Sequence, residues 1–363
     1  MHNLESIIQS AKVLIVEDET IISWCLQESL EALGYQVSAV VSSGKKAIDA
    51  AVLVKPDIAL MDIRLKGEMD GIEAADFLYR NFDIPIIYLT AHSDENILKK
   101  AIQTSPFGYL LKPFAPKELH CTIQIALQRH QSESRLSEFI SIASHELKTP
   151  LTSIHGALGL LASGVLANQS DTAKRMLDIA SSDTERLVRL VNDILDLERL
   201  ESNKVTLNRQ WHDAAELCQQ AIATMQTIAA ESQIAILSNL KSLKVFADSD
   251  RIIQTLVNLL SNAIKFSPPQ SQVQIEVEQI ADEIVFRVCD RGCGIPKDRL
   301  ESIFERFNQV DISYSSQKGG TGLGLAICRS IIQQHGGKIW VESVLSEGST
   351  VSFTIPYRDF NNR

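Results

Sequence analysis

No stretch of the chain approaches the roughly 18 consecutive apolar residues that a membrane-spanning helix needs. The start, Met1-His2-Asn3-Leu4-Glu5, has neither the basic flank nor the apolar core of a signal peptide. Cysteine is sparse. The six thiols (25, 121, 218, 289, 293, 328) show no Cys-x-x-Cys spacing and no histidines at zinc-site intervals, which argues for free thiols in a reducing cytoplasm. Positive charge is in deficit: 35 Lys and Arg against 45 Asp and Glu leave a net charge of −10, which argues against broad nucleic-acid or anionic-membrane binding. There is no repeat, no low-complexity tract and no Gly-Lys-Ser/Thr of a P-loop. What is there, 363 residues at 45% hydrophobic, suffices for two or three soluble domains.

Residues 1–130 alternate apolar runs with helical patterns. The run 13–16 ends in Glu17-Asp18-Glu19, 58–61 at Asp62, 84–89 at Thr90 and 109–111 at Lys112-Pro113. Helical patterns cover 21–33, 45–54, 72–79 and 95–102. This alternation predicts a parallel sheet with helices on both faces and a ligand at the carboxyl ends of the strands. Those ends collect Glu17, Asp18, Asp62, Thr90 and Lys112. Three carboxylates repel unless a cation joins them, and hard oxygen ligands suit Mg²⁺. Lys112 adds a mobile positive charge, so the set is equipped to build an acyl phosphate on an aspartate. A solvated acidic rim would not also end its strands in a lysine and a threonine. The segment resembles a response-regulator receiver domain, an α/β unit of flavodoxin-like fold. The resemblance implies that Asp62 is the phosphoacceptor and, with Glu17 and Asp18, a Mg²⁺ ligand. It implies that Thr90 and Lys112 sense the phosphoryl group, that Tyr109 is the switch aromatic, and that Lys112-Pro113 is cis.

Residues 131–203 centre on Ser144-His145-Glu146-Leu147-Lys148-Thr149-Pro150. Leu136, Ile140, Ala143 and Leu147 before it, and Leu151, Ile154, Leu158 and Leu161 after it, recur at helical spacing. His145 falls just off this seam, Thr149 shares its face, and Pro150 predicts a kink because its ring crowds the Glu146 carbonyl. His155, without an acidic neighbour, reads as a packed or surface residue. Ser163-Gly164 and 167–171 supply a loop, and Met176, Ile179, Leu187, Val191, Ile194 and Leu197 mark a second helix. Two such helices cannot bury their seams alone, so an all-α hairpin that pairs into a homodimeric four-helix bundle is expected. The hairpin resembles the dimerisation and phosphotransfer domain of histidine kinases. That resemblance implies that His145 is the nucleophile, that Glu146 takes the proton of its other nitrogen, and that Thr149 orients water during dephosphorylation. Glu146 lies about 100° around the helix from His145, so its role needs a particular rotamer.

Residues 204–363 open another chemistry. In the helical pattern 251–266, Asn258, Asn262 and Lys265 share one face, while Leu256, Leu259, Leu260, Ala263 and Ile264 cover the rest as core. Two amides and a lysine on an apolar helix need a ligand or an internal network. Strand patterns at 273–277 and 284–288 lead to Asp290-Arg291-Gly292-Cys293-Gly294. An acid at a strand end can accept from an adenine amino group, and the glycines let backbone approach the ring. The string 319–325, Gly-Gly-Thr-Gly-Leu-Gly-Leu, opens a helix whose amides can cradle phosphates. The polar stretch 308–318 before it suits a mobile lid. Together these resemble the catalytic ATP-binding domain of histidine kinases, the α+β Bergerat fold. Asn258, Asn262 and Lys265 fit its N box, and Asp290, Gly292 and Gly294 its first glycine box. Phe304 and Phe307 fit the lid-anchoring phenylalanines, and Gly320, Gly322 and Gly324 the second glycine box. The resemblance implies that Asn262 binds Mg²⁺ and Asp290 reads adenine.

The expected whole is a cytoplasmic hybrid histidine kinase with its receiver first. It would pass the γ-phosphoryl of Mg-ATP to His145 and then to an aspartate on a downstream response-regulator receiver. An upstream histidine kinase or phosphotransfer protein acting on Asp62 is a further expected partner, and neither nucleic acid nor a membrane span is expected. The alternative is mainly a response-regulator phosphatase, or a receiver-based scaffold with minor kinase activity. From Lys117 to Thr149 there is no proline and no glycine, so the receiver's last helix is expected to run into the kinase's first, although polar Gln131-Ser132-Glu133-Ser134 would suit a flexible joint.

Overall fold

The computed structural model describes residues 11–91, 104, 106–163, 170–201, 206–308 and 320–357. The helix expected at 95–102, the hairpin loop at Gly164 and 167–169, and the lid at 309–318 with Gly319 lie outside these residues. The chain divides into two compact units, Met1–Ile140 and Ser141–Arg363.

In the first unit five strands, β1 (Lys12–Val16), β2 (Gln36–Val41), β3 (Ile58–Asp62), β4 (Ile86–Thr90) and β5 (Gly108–Leu111), form a sheet in the order β2-β1-β3-β4-β5. Every pairing is parallel. Strand alternation divides the core. Val13, Ile15, Ile58 and Leu60 join Leu26 and Leu30 of α1 (Thr20–Ala32) and Leu119 and Ile123 on one face. Leu14, Val16, Ala59 and Met61 join Ala47 and Ala51 of α2 (Gly44–Val54) and Ala74 and Leu78 of α3 (Gly71–Phe82) on the other. Both faces are covered, which is why the strands read as unbroken apolar runs. Asp70 caps α3 and Glu73 closes a capping box. The chain reverses its winding between β1 and β3, and such a switch point opens a crevice at the strand ends. β2 is the strand that the apolar runs did not reveal: it is an edge strand, half exposed along its length.

The last helix of the receiver-like unit does not stop. α4 runs from Pro116 to Ala162, through the polar segment 131–134 and through Pro150. The segment offered as a joint is helical, and the helix survives the loss of the Pro150 backbone donor.

In the second unit the end of α4 pairs with α5 (Ser170–Glu201). Ala143, Pro150 and Ala157 on α4 and Ala180, Leu190, Leu197 and Leu200 on α5 are buried, and the Leu200 carbonyl at the end of α5 accepts from Gln334 of the layer pair that follows. Leu136, Ile140, Leu151 and Leu158 on α4, with Val188, Val191 and Leu195 on α5, stay exposed in the single chain, as expected of a hairpin that cannot cover its own stripe. The remaining residues build an α+β layer pair. Its sheet runs β11 (Ile339–Val344), β12 (Gly348–Pro356), β10 (Glu283–Cys289), β9 (Gln272–Ile280), β7 (Ala235–Leu240), with only the β7–β9 edge parallel. β6 (Gln210–Asp213) and β8 (Lys244–Ala247) form a separate antiparallel pair. Helices α6 (Ala214–Glu231), α7 (Ser249–Phe266) and α8 (Gly324–Gln334) pack on the five-stranded sheet. Val273, Ile275, Val277, Phe286 and Phe353 are buried on the sheet side of this core, the two phenylalanine rings stacked 4.6 Å apart. From α7 the core takes Ile252, Leu256, Leu259, Leu260, Ala263 and Ile264. Each such aliphatic side chain stabilises by about 1.5–3 kcal/mol, so the polar residues left on the opposite face are displayed from a rigid support.

Candidate functional site

The switch point of the first sheet collects the acids. β1 delivers Glu17 and Asp18, and β3 ends in Asp62. One carboxylate oxygen from each lies within 4.8 Å of the others. Glu17 and Asp62 are buried, and the Arg64 amide donates to Asp62 Oδ1 at 2.9 Å. Lys112, at the end of β5, donates to Glu17 Oε2 at 2.6 Å and also to Asp62 Oδ2. Lys66 pairs with Asp18 Oδ2 at 2.8 Å from an exposed position. Burial pushes the Glu17 carboxyl up to about 7, with the Lys112 hydrogen bond pulling it down and the Asp62 charge adding to the rise. Burial would lower the Lys112 ammonium, but its bonds to Asp62 and Glu17 outweigh that and hold it above its ordinary value. A donor set of three hard carboxylate oxygens, incompletely neutralised by one inward lysine, fits a divalent cation such as Mg²⁺. Thr90 ends β4, with its hydroxyl donating to the Ala91 carbonyl at 3.2 Å. Tyr109 stacks on Tyr88 with ring centroids 6.1 Å apart, and the Lys112-Pro113 bond is cis.

The hairpin presents His145 to solvent, its side chain 78% exposed. Its Nδ1 is 3.6 Å from Glu146 Oε1, just beyond hydrogen-bond reach. The other Glu146 oxygen meets Arg186 Nη2 of α5 at 3.3 Å. The Thr149 hydroxyl donates to the His145 carbonyl oxygen at 3.2 Å. His155 is exposed. Arg186 has no signal in the sequence, because its partner is set by how two helices pair.

In the ATPase-like layer pair, Asn258, Asn262 and Lys265 share the half-buried face of α7. Asn258 Nδ2 donates to the Gly324 carbonyl at 3.5 Å, and Lys265 Nζ lies 2.9 Å from where a Cβ on Gly320 would stand. Asn258 and Lys265 on the polar face of α7 therefore lie against Gly324 and Gly320 of the glycine string. Asp290, just past β10, accepts from the Gly292 amide at 2.7 Å and the Ser349 amide at 3.3 Å through Oδ1. Burial raises its carboxyl above the ordinary range, the two amides countering in part. Gly294 has φ +70°, and a Cβ there would overlap the Val344 carbonyl, so this turn of the first box admits no side chain. Gly322 has φ +69°, and its carbonyl accepts from the Phe307 amide at 3.0 Å. Phe304 is buried beneath. Three contacts have no counterpart in the sequence pattern. Thr321, between the glycines of the second box, donates to Asp193 Oδ2 of α5 at 2.8 Å. Close by, Asp196 pairs with Arg251 at 3.4 Å and accepts from Gln254 at 2.9 Å. Burial raises the Asp193 carboxyl as well, with the Thr321 bond opposing. Among the described residues no helix is long and apolar enough to cross a membrane.

Residues 13–124 match the family model of the response regulator receiver domain, and residues 135–203 that of the His Kinase A phospho-acceptor domain. Residues 247–359 match the histidine kinase-, DNA gyrase B- and HSP90-like ATPase. The sensor histidine kinase WalK of Bacillus subtilis is 38% identical over 236 residues, 64% of this chain and 38% of its own length. The circadian input-output histidine kinase CikA of Synechococcus elongatus is 37% identical over 223 residues, 60% of this chain and 30% of its own. The chain thus spans about a third of the length of these two curated relatives. A solved complex of histidine kinase ThkA with response regulator protein TrrA aligns with TM-score 0.53 at 28% identity, covering 63% of this chain and 64% of that one. Matches to a receiver, a His Kinase A phospho-acceptor domain and an ATPase of the histidine kinase type thus succeed one another along a single polypeptide, an order consistent with a hybrid histidine kinase whose receiver precedes the kinase.

Proposed function

We propose that the chain autophosphorylates His145 from Mg-ATP and passes the phosphoryl group to a receiver aspartate, under the control of its own receiver. The observation that carries this reading is the site where Asn258 and Lys265 approach Gly324 and Gly320, in a chain that also displays His145. In it Asn258, Asn262, Lys265, Asp290, Gly292, Gly294, Gly320, Gly322 and Gly324 hold ATP, Asp290 accepting from the adenine amino group and Asn262 serving as a Mg²⁺ ligand. Mg²⁺, when bound, neutralises phosphoryl oxygens.

The carboxylate of Glu146 stands beside Nδ1, so the attacking nitrogen is Nε2. Nε2 forms the N–P bond as the bond from the γ-phosphorus to the bridging oxygen breaks, ADP departs, and the Nδ1 proton passes to Glu146.

Asp62 is the acceptor of the chain's own receiver, where Glu17, Asp18 and Asp62 hold Mg²⁺ and Lys112 and Thr90 answer to the phosphoryl group. Its donor is His145 or an upstream histidine kinase or phosphotransfer protein. The partners are a second copy, through the exposed stripe of the hairpin, and a downstream response regulator. The division adopted is 1–130 receiver, 131–203 dimerisation and phosphotransfer, 204–363 ATP-binding. Six free thiols support a reducing, cytoplasmic setting. The test is incubation with γ-labelled ATP: acid-labile label is expected on the parent and absent from His145→Gln, which still binds nucleotide. Persistent acid-labile label in that variant would overturn the assignment.

A further inference from the structure

A carboxylate next in sequence to the nucleophile starts from a poor position. Successive residues diverge by about 100° around a helix, so Glu146 reaches Nδ1 only in selected rotamers. A free glutamate has three side-chain torsions, and freezing them costs conformational entropy. What selects the rotamer here comes from the facing helix. Arg186 Nη2 holds Glu146 Oε2 at 3.3 Å, and the other oxygen, Oε1, is the one 3.6 Å from His145 Nδ1. A planar guanidinium suits this task better than an ammonium, because its donors lie in a fixed fork and fix the plane of the carboxylate. Both partners are partly shielded, with side-chain exposures of 34% and 24%, so water competes only in part.

We infer that Arg186 is a positioning residue for phosphotransfer: it holds one oxygen of Glu146 so that the other faces the Nδ1 proton of His145. The inference rests on the kinase reading above and assigns no contact between Arg186 and nucleotide. Arg186 acts through Glu146 alone.

The experiment measures autophosphorylation of the full chain with labelled ATP in the parent, Arg186→Ala, Arg186→Lys, Glu146→Gln and the double variant Glu146→Gln/Arg186→Ala. A positioned base contributes on the order of 10²- to 10⁴-fold, and loss of its aim forfeits part of that. The expected result is a fall of about tenfold in kcat for Arg186→Ala with KM for ATP unchanged, and a partial return in Arg186→Lys. In the Glu146→Gln background the arginine substitution is expected to change nothing further, since the group it aims is gone. Thermal unfolding of each variant identifies a hairpin that fails to fold, and Arg186→Lys then carries the comparison. A parent-like rate in Arg186→Ala, or an equal fall in both backgrounds, overturns the inference while leaving the kinase reading intact. A parent that forms no phosphohistidine overturns both.

Discussion

Two glycines of the second box are equivalent in pattern and opposite in geometry. Gly322 sits at φ +69°, and a Cβ there would stand 2.8 Å from Phe307 Cα and 2.9 Å from its carbonyl carbon. The left-handed backbone alone costs a substituted alanine about 1–2 kcal/mol. The overlap is with main chain rather than with a side chain that can swing away, so the strand of backbone at Phe307 has to move and the total reaches about 2–3 kcal/mol. For a unit of this size that lowers the unfolding midpoint by about 4–10 °C. Gly324 opens α8, and a Cβ there meets nothing nearer than Asn258 Nδ2 at 3.7 Å, ordinary contact. Alanine in a helix is more favourable than glycine by up to about 1 kcal/mol, so Gly324→Ala is expected to fold at least as well as the parent. The assay is thermal unfolding of both variants, with a subsequent titration against a fluorescent ATP analogue. Gly322→Ala should lose stability and affinity together. A parent-like midpoint for Gly322→Ala, or an equal loss in both variants, refutes the reasoning.

Removal of the acceptor at the other centre, Asp62→Asn, is expected to abolish hydroxylamine-cleavable label from phosphohistidine or a small phosphodonor; undiminished label would locate the acceptor elsewhere. Nucleotide binding should also carry the signature of Asp290. Burial holds its carboxyl above the ordinary 3.8, so the protonated form is favoured in the fold. As pH falls through that raised value the buried charge is relieved and the fold gains stability, while an acceptor for adenine is lost and affinity declines. Affinity measured by titration should therefore begin to fall at a pH above 3.8 in the parent and lose this dependence in Asp290→Asn; a flat parent profile contradicts the assignment. Coupling along α4 should depend on phase. One residue inserted near Ser132 turns the downstream part of the helix by about 100°, and seven nearly restore the face. Receiver control of the autokinase rate is expected to persist with seven and change with one, and identical control in both would mean that the helix transmits nothing.

Much of this was legible because chemistry-bearing residues lie at the ends of strongly patterned elements. Doubly buried strands such as 58–61 read as unbroken apolar runs, so the acid that ends each one stands out. The face of α7 is equally plain, since three polar side chains interrupt an otherwise buried helix. Elements without such contrast do not read. β2 is an exposed edge, and Ser343 and Ser349 of the last hairpin spend their hydroxyls on each other at 2.9 Å rather than advertising a buried face. α6 is built on small or soft contacts, Cys218, Ala221, Met225 and Ala229, whose burial leaves a weak stripe. The hairpin seam reads as Leu-rich, but in the single chain the buried α4 positions are Ala143, Pro150 and Ala157, while Leu136, Ile140, Leu151 and Leu158 stay exposed. Arg186 and the Asp193–Thr321 bond depend on register between distant segments, about which local spacing carries no information.

The continuity of α4 has a consequence for how the chain comes apart and how it can be put together. Ala126 is the last α4 side chain buried in one unit and Ala143 the first buried in the other, and from 127 to 142 no side chain is buried. The first of those turns still leans on the receiver, where His130 meets Asp83 at 3.1 Å and Phe107 edge-on. One turn on, Ser134 still donates to Asp83 Oδ2 at 3.3 Å, and Arg129–Glu133 at 2.7 Å is a surface pair worth only a few tenths of a kcal/mol. Opening 135–142 exposes no buried side chain. The same absence makes 135–142 a natural splice point. A foreign input module joined there displaces no buried side chain but has the half-buried Phe139 and the turn of the helix to respect.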